Sequence, residues 1–169
     1  MSDHPRTVLD GFLRTVRRQP DDIAVRELDG HGLSDRPSMT WAEYADLVAR
    51  AAGGLAGLGV RRGDRVVLMM RNRLEFHIAD VAVLALGATP ISIYNSSSPE
   101  QIAYLVQHSK ASLAIVESGD FVSRVLAAAA DSPSLNSVVV IGDAPLGTHP
   151  WSQLLAGEPI DLDAAAAAL

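Results

Sequence analysis

Few side chains in this chain stand in arrangements that could do chemistry. The one lysine, Lys110, falls between a helical and an extended segment. A Schiff-base or phosphate-clamp lysine needs a buried or glycine-rich setting, so Lys110 reads as a solvated turn charge. The histidines, His4, His31, His77, His108 and His149, are scattered. His77 and Asp80 share a helical face at i, i+3, a spacing that can orient an imidazole. No second histidine or carboxylate pair completes a metal or acid–base set around them, so a polar helix edge is expected. No catalytic residue, cofactor-binding residue or metal ligand is assigned.

Two polar edges hold the remaining interest. Tyr94-Asn95-Ser96-Ser97-Ser98-Pro99 follows an apolar segment and opens a helix, a place where parallel sheets and helix N-termini receive anions. Turn formation and capping account for the same residues without a ligand. Arg71-Asn72-Arg73 takes the equivalent place after the preceding apolar segment, either to meet a phosphate or carboxylate or to form a solvated rim. Asp131 to Ser134 and Asp143 to Pro145 read as ordinary loops. No G-x-G-x-x-G follows a strand and no G-x-x-x-x-G-K-[ST] occurs anywhere, so neither common nucleotide-binding route is supported.

The elements that position these residues follow from periodicity and capping. Thr7 with Asp10 opens a helix running to Arg18, with Val8, Leu9, Phe12 and Val16 on one face. Asp22 to Glu27 suggests a short strand, and Asp29-Gly30 a turn before Pro37. Thr40-Trp41-Ala42-Glu43 forms a capping box for a helix carrying Trp41, Tyr44, Leu47, Val48, Ala51, Leu55 and Leu58, stopped by Gly59. Arg65 to Met70 is almost wholly apolar, as a strand buried on both faces requires. Asn72 with Glu75 is expected to cap a helix that ends at Gly87. Thr89 to Ile93 is the next strand. Ser98-Pro99-Glu100-Gln101 caps a helix to about Ser109. Ala111 to Val116, Gly119 to Ala130 and Ser137 to Ile141 read as strand, helix and strand. Crossovers of this length join parallel strands, so the expected fold is α/β, an open, doubly wound, mostly parallel sheet with helices on both faces. After Gly142 prolines and glycines interrupt the pattern, and the five alanines from Ala164 make too short a helix to persist without docking.

Composition removes whole classes. At 169 residues the chain makes roughly one domain. With no cysteine it cannot form a disulfide scaffold, a thiolate zinc site, an iron–sulfur centre or a cysteine nucleophile. A net charge of −6 opposes nucleic-acid binding, which needs a basic stripe. Met1 to Val8 holds Asp3 and Pro5 and no apolar core, so no secretory signal is expected. The longest apolar stretch, Phe76 to Leu86, is interrupted by His77 and Asp80 and is far short of the roughly 20 residues that cross a bilayer. A cytoplasmic location is expected.

The order of motifs is more specific than any one of them. Thr40-Trp41-Ala42-Glu43-Tyr44, the helix end Leu58-Gly59-Val60, the turn Gly63-Asp64-Arg65-Val66, Leu86-Gly87-Ala88, Pro90, and Ser98-Pro99-Glu100-Gln101-Ile102-Ala103-Tyr104-Leu105 together resemble the N-terminal region of adenylate-forming acyl-CoA synthetases. The stretch Ile93 to Gln101 looks most like bacterial long-chain fatty-acid–CoA ligases. The resemblance runs from about Thr7 onward. It implies a family reaction in which ATP and a fatty acid give an acyl-adenylate and pyrophosphate, after which CoA displaces AMP. ATP, Mg and CoA are the implied cofactors of full-length members.

That chemistry requires a Ser/Thr/Gly-rich phosphate loop ending in lysine, an acidic residue on the ribose, a hinge arginine and a lysine on a mobile lid. None can be placed here: after Thr89 the only threonine is Thr148, and no lysine follows Lys110. The phosphate loop is expected beyond Leu169. Residues 1–142 would form a partial N-terminal subdomain of the larger adenylate-forming fold and 143–169 an irregular connection toward that loop. Without those cations nothing stabilises the charge that develops during adenylation, so the chain alone is expected to be inactive and to bind no cofactor. Two other readings stay open. One is a non-catalytic module that dimerises, or complements a chain bearing the missing motifs through an open sheet edge and an uncovered apolar face. The other is an independent flavodoxin-like domain with a small ligand at the Tyr94 loop.

Overall fold

The computed structural model describes residues 6–27 and 38–169. The turn expected at Asp29-Gly30 lies outside them. Three capping boxes form where the sequence places them. At α1 (Val8–Arg18) Thr7 and Asp10 exchange hydrogen bonds. At α2 (Trp41–Gly57) the Thr40 hydroxyl accepts the Glu43 N–H at 3.2 Å and the Glu43 carboxylate accepts the Thr40 N–H at 2.8 Å. At α4 (Pro99–Ser109) Ser98 and Gln101 do the same, with Pro99 in the first turn. Each box satisfies two of the N–H groups that a helix start leaves unpaired, within four residues of chain. Gly59, at φ +96°, takes the chain out of α2 in the left-handed region.

The remaining elements are β1 (Ile23–Arg26), β2 (Ser38–Thr40), β3 (Arg65–Met69), α3 (Leu74–Ala85), β4 (Thr89–Ser92), β5 (Leu113–Glu117), α5 (Asp120–Ala130), β6 (Ser137–Ile141), β7 (His149–Pro150), α6 (Trp151–Leu155) and α7 (Leu162–Ala168). β1 and β2 pair antiparallel as a separate ribbon, so the short strand expected at Asp22 to Glu27 finds its partner just before α2. The main sheet has five strands in the order β4-β3-β5-β6-β7, every neighbouring pair parallel.

Strand residues alternate between two cores, as a pleat requires. Val66, Leu68, Leu113, Ile115, Val139 and Ile141 point to the face packed with α1, α2, α3, α6 and α7. Val67, Met69, Ala114, Val116, Val138 and Val140 point to the opposite face, covered by α4 and α5. Burial on both faces explains why these strands read as continuous apolar runs. The doubly wound α/β arrangement is therefore the observed fold.

Four expectations are corrected. Val8, placed on the inner face of α1 with Leu9, Phe12 and Val16, is 65% exposed; Leu9 and Phe12 are buried as expected, and Leu13 joins them in place of Val8. Phe12 packs edge-on against Tyr44 of α2, with ring centroids 4.9 Å apart, and that contact sets the rotation of α1. Asn72 does not cap α3. Arg73 holds that position without a side-chain cap, and the Glu27 carboxylate, arriving from the end of β1, accepts the Leu74 N–H at 3.0 Å. After Gly142 the chain is not an irregular connection but forms β7, α6 and the alanine helix α7. α7 docks through Leu162 and Ala166, its N-terminus capped by Asp161 and held by an Arg17–Asp163 ion pair, its last turn bound by Arg62 to the Ala168 carbonyl. Finally, neither face of the sheet is left bare, because α6 and α7 complete the layer over α1, α2 and α3. Both edges are short strands carrying a proline, Pro90 in β4 and Pro150 in β7, which blunts them against further pairing.

Candidate functional site

The strand order is the flavodoxin-like one, in which the first strand of the wound sheet, β3, lies between the second and the third. Consecutive crossovers from β3 leave in opposite directions, so the loops after β3 and β5 part and open a crevice at the carboxyl edge. Arg71, Asn72 and Arg73 follow β3 there, and Glu117 with Ser118-Gly119 follows β5.

The two arginines of the first loop are both engaged. Arg73 grips Glu75 with two nitrogens, at 2.7 and 2.9 Å, and approaches Glu117 at 3.7 Å. Burial works to raise the Glu75 carboxyl, but the hydrogen bonds and charge from Arg73 prevail and hold it below its ordinary value. The hydrogen bond to Glu75 correspondingly raises Arg73. Arg71 donates its backbone N–H to Glu117 at 2.9 Å and brings its guanidinium to 3.4 Å from the same carboxylate.

The Tyr94 loop, between β4 and α4, borders this edge. Its backbone is held by Arg124 of α5, whose guanidinium donates to the carbonyls of Asn95 and Ser97 at 3.1 and 3.2 Å. Arg124 also lies 5.0 Å from the Phe121 ring centroid, and Arg71 lies 5.3 Å from the same ring. Beside the loop runs an open groove of about 600 Å³ between Tyr94 and Tyr104, floored by Leu105 and bordered by Glu100 and Gln101. Tyr94 is 85% exposed. The Ser98 hydroxyl is spent on capping, as the turn-and-cap reading of this loop expects.

The other singled-out residues do not converge on this edge. Lys110 ends α4 at φ +52°, a turn position. His108 stacks on Tyr104 at 5.3 Å, and His149 faces Gln153 at 3.4 Å. His4 and His31 lie outside the described residues. His77 sits edge-on to Phe76, and its carbonyl accepts the Tyr44 hydroxyl at 2.8 Å. Burial, with the negative charge of Asp80, drives the Tyr44 phenol far above its ordinary value. Burial raises Asp80 too, only partly offset by His77. Among the described residues no three His, Asp or Glu side chains gather as a metal site would need.

Asp80 therefore binds its proton more tightly in the folded chain than in the unfolded one. Its favourable contribution is complete below the unfolded value and is lost as pH rises through the folded one. Asp80→Asn is expected to raise the denaturation midpoint at neutral pH, and the gain should vanish in mild acid. Urea titrations of both chains at the two pH values measure this. A loss of stability at neutral pH would refute it.

Glu27, Glu117, Phe121 and Arg124 had no motif to mark them. Only Glu117 carried a signal, a charge directly after the apolar run Ala111 to Val116.

The family model for "AMP-binding enzyme" matches residues 12–165. The chain is 40% identical over 144 residues to the uncharacterized protein Rv1549 of Mycobacterium tuberculosis, covering 85% of this chain and 77% of that one. It is 35% identical over 155 residues to the long-chain-fatty-acid–CoA ligase FadD15 of Mycobacterium bovis, covering 90% of this chain and 25% of the ligase. Among solved structures, MbtA of Mycobacterium smegmatis superposes with a TM-score of 0.74 at 30% identity, over 92% of this chain and 28% of MbtA. The chain thus spans about a quarter of the length of the named ligase it matches.

Proposed function

Because the chain belongs to the AMP-binding enzyme family, we propose that it is the N-terminal layer of a fatty-acid–CoA ligase and does not form adenylates by itself. It corresponds to the N-terminal part of an adenylate-forming acyl- or aryl-CoA ligase. The fatty-acid assignment draws its support from the 35% identity to a long-chain-fatty-acid–CoA ligase over nearly the whole chain. The observation that carries inactivity is the donor set. Full-length members use ATP, Mg and CoA, and the residues described here do not fit a magnesium-bound triphosphate. No glycine-rich loop with lysine occurs in the sequence, no carboxylates gather for a metal among the described residues, and the crevice at the sheet's carboxyl edge already holds a carboxylate. Adenylation needs positive groups fixed around the phosphates as charge develops, a contribution usually worth several kcal/mol.

What this chain's residues do is build and hold a wall. Arg124 fixes the Tyr94 loop, Glu27 caps α3, and Arg73 ties the β3 loop to Glu75. The test is direct. Purified chain mixed with ATP, Mg, palmitate and CoA is expected to release no pyrophosphate above the protein-free rate, and clear turnover would overturn the proposal.

A second reading is a module that docks on a separate chain carrying the phosphate loop. It is favoured by the exposed Tyr94 and Tyr104 beside an open groove, since large exposed apolar patches mark interaction surfaces. Light scattering on the purified chain, alone and with an intact ligase of the family, separates this reading from a solitary monomer. A cytoplasmic location belongs to the same proposal and is supported by the family match, whose reaction consumes ATP and CoA.

A further inference from the structure

Glu117 closes β5, the middle strand of the sheet, at the point where the strand order reverses. Its side chain is only 12% exposed. A carboxylate withdrawn that far from water needs compensating charge and hydrogen bonds. It accepts a hydrogen bond from the Arg71 backbone N–H at 2.9 Å and forms ion pairs with the Arg71 guanidinium at 3.4 Å and that of Arg73 at 3.7 Å. Phe121 backs the Arg71 guanidinium at 5.3 Å and limits where it can go. A backbone N–H and two guanidinium groups converging at the carboxyl ends of parallel strands are the donors with which an open α/β sheet holds a phosphate or carboxylate.

We infer that this crevice is an anion-binding site whose occupant is the chain's own Glu117 carboxylate. The Arg71 backbone N–H and the Arg73 guanidinium, pinned by Glu75, are held in place, while the Arg71 side chain is 66% exposed and steadied by Phe121; the carboxylate that fills them comes from the same sheet. An incoming phosphate would meet both the volume and the charge of Glu117. Removing the carboxylate should leave a site that accepts a small carboxylate or inorganic phosphate from solution. An ordinary surface ion pair predicts no such affinity, because loose arginines return to water when their partner is lost.

The experiment compares the full chain with Glu117→Ala and Glu117→Gln in chloride, acetate and phosphate at matched pH and ionic strength. Melting temperature is read as each variant's shift minus that of the unsubstituted chain, which cancels general salt effects. Glu117→Ala is expected to melt lower in chloride and to recover by about 3 °C or more in acetate or phosphate. Glu117→Gln keeps an acceptor for the Arg71 N–H without the charge and should recover less. Adding Arg71→Gln to Glu117→Ala should abolish the recovery. Equal responses of variant and unsubstituted chain would overturn the inference. So would failure of both variants to fold in any of the three anions, since a solution anion would then not replace the carboxylate. The inactivity proposal stands apart, because it is decided by pyrophosphate release from the unsubstituted chain.

Discussion

Gly54→Ala is expected to destabilise the chain by about 2 kcal/mol, although it replaces a glycine inside a helix by the best helix former. Propensity alone favours alanine here by about 1 kcal/mol. The obstacle is backbone. A Cβ on Gly54 would lie 2.6 Å from Leu154 Cα and 2.9 Å from its carbonyl carbon. Next to it, a Cβ on Gly53 would overlap the Glu158 carbonyl oxygen. The two glycines let residues 154–159 lie directly on α2, where the Ile160 N–H donates to the Ala49 carbonyl at 3.1 Å. A flexible side chain could turn aside, but a main chain can yield only by moving α6, with Trp151 and Leu154, out of the core. Overpacking costs about 1–3 kcal/mol, occasionally more, and a clash with main chain falls at the upper end, so about 3 kcal/mol less the propensity gain of about 1 leaves a net loss of about 2. Gly57→Ala is the internal control. Nothing lies within 4 Å of a Cβ there, so that change should be neutral or stabilising by up to about 1 kcal/mol. Urea denaturation of the two variants checks both signs, and a stabilised Gly54→Ala would refute the close-packing account.

Arg124→Ala is expected to free the Tyr94 loop and to cost about 2 kcal/mol locally, from hydrogen bonds made by a charged donor and a cation–π contact. The guanidinium reaches the Asn95 and Ser97 carbonyls together and lies against Phe121. Among the described residues no other side chain hydrogen-bonds from α5 to that loop: the loop's own bonds, such as Ser97 N–H to the Tyr94 carbonyl at 3.0 Å, hold its turn and not its docking. Amide exchange over residues 94–98 should speed up by at least about tenfold, each 1.4 kcal/mol being a factor of ten. The amides of β3 and β5 should change much less. Arg124→Lys should rescue only in part: both carbonyls accept from the single nitrogen Nη1, which an ammonium can replace, but the planar guanidinium lying against Phe121 is lost. Unchanged exchange over the loop would sink this assignment.

Two features of the molecule make these effects separable. Gly54 lies on the α2 face that receives α6, and Arg124 lies across the sheet, on the α5 side. Sites on opposite faces with no shared partners should add in a double variant to within about 0.5 kcal/mol.

Residues close in sequence settled much of this protein before any fold was known. Thr40 with Glu43 and Ser98 with Pro99 and Gln101 start their helices because a capping box is complete within four residues. Arg65 to Met70 and Ser137 to Ile141 read as buried strands because both faces of a parallel sheet are dry. Membership of the family was legible too, in an ordered series of such local signals. Tertiary structure decided the rest. Asn72 lost the cap of α3 to Glu27, which no local pattern could foretell, since 47 positions separate Glu27 from Leu74. The alanine helix after Asp161 exists only through its docking, because so short a helix cannot repay its nucleation in water. Which strand lies beside which is likewise fixed by the direction each crossover takes. That choice carries Glu117 to Arg71, 46 residues away, and fills the crevice at the sheet's edge. Capping and pleating are short-range and are written in neighbouring residues, whereas the pairing of charges waits on the packing of the layers that bring them together.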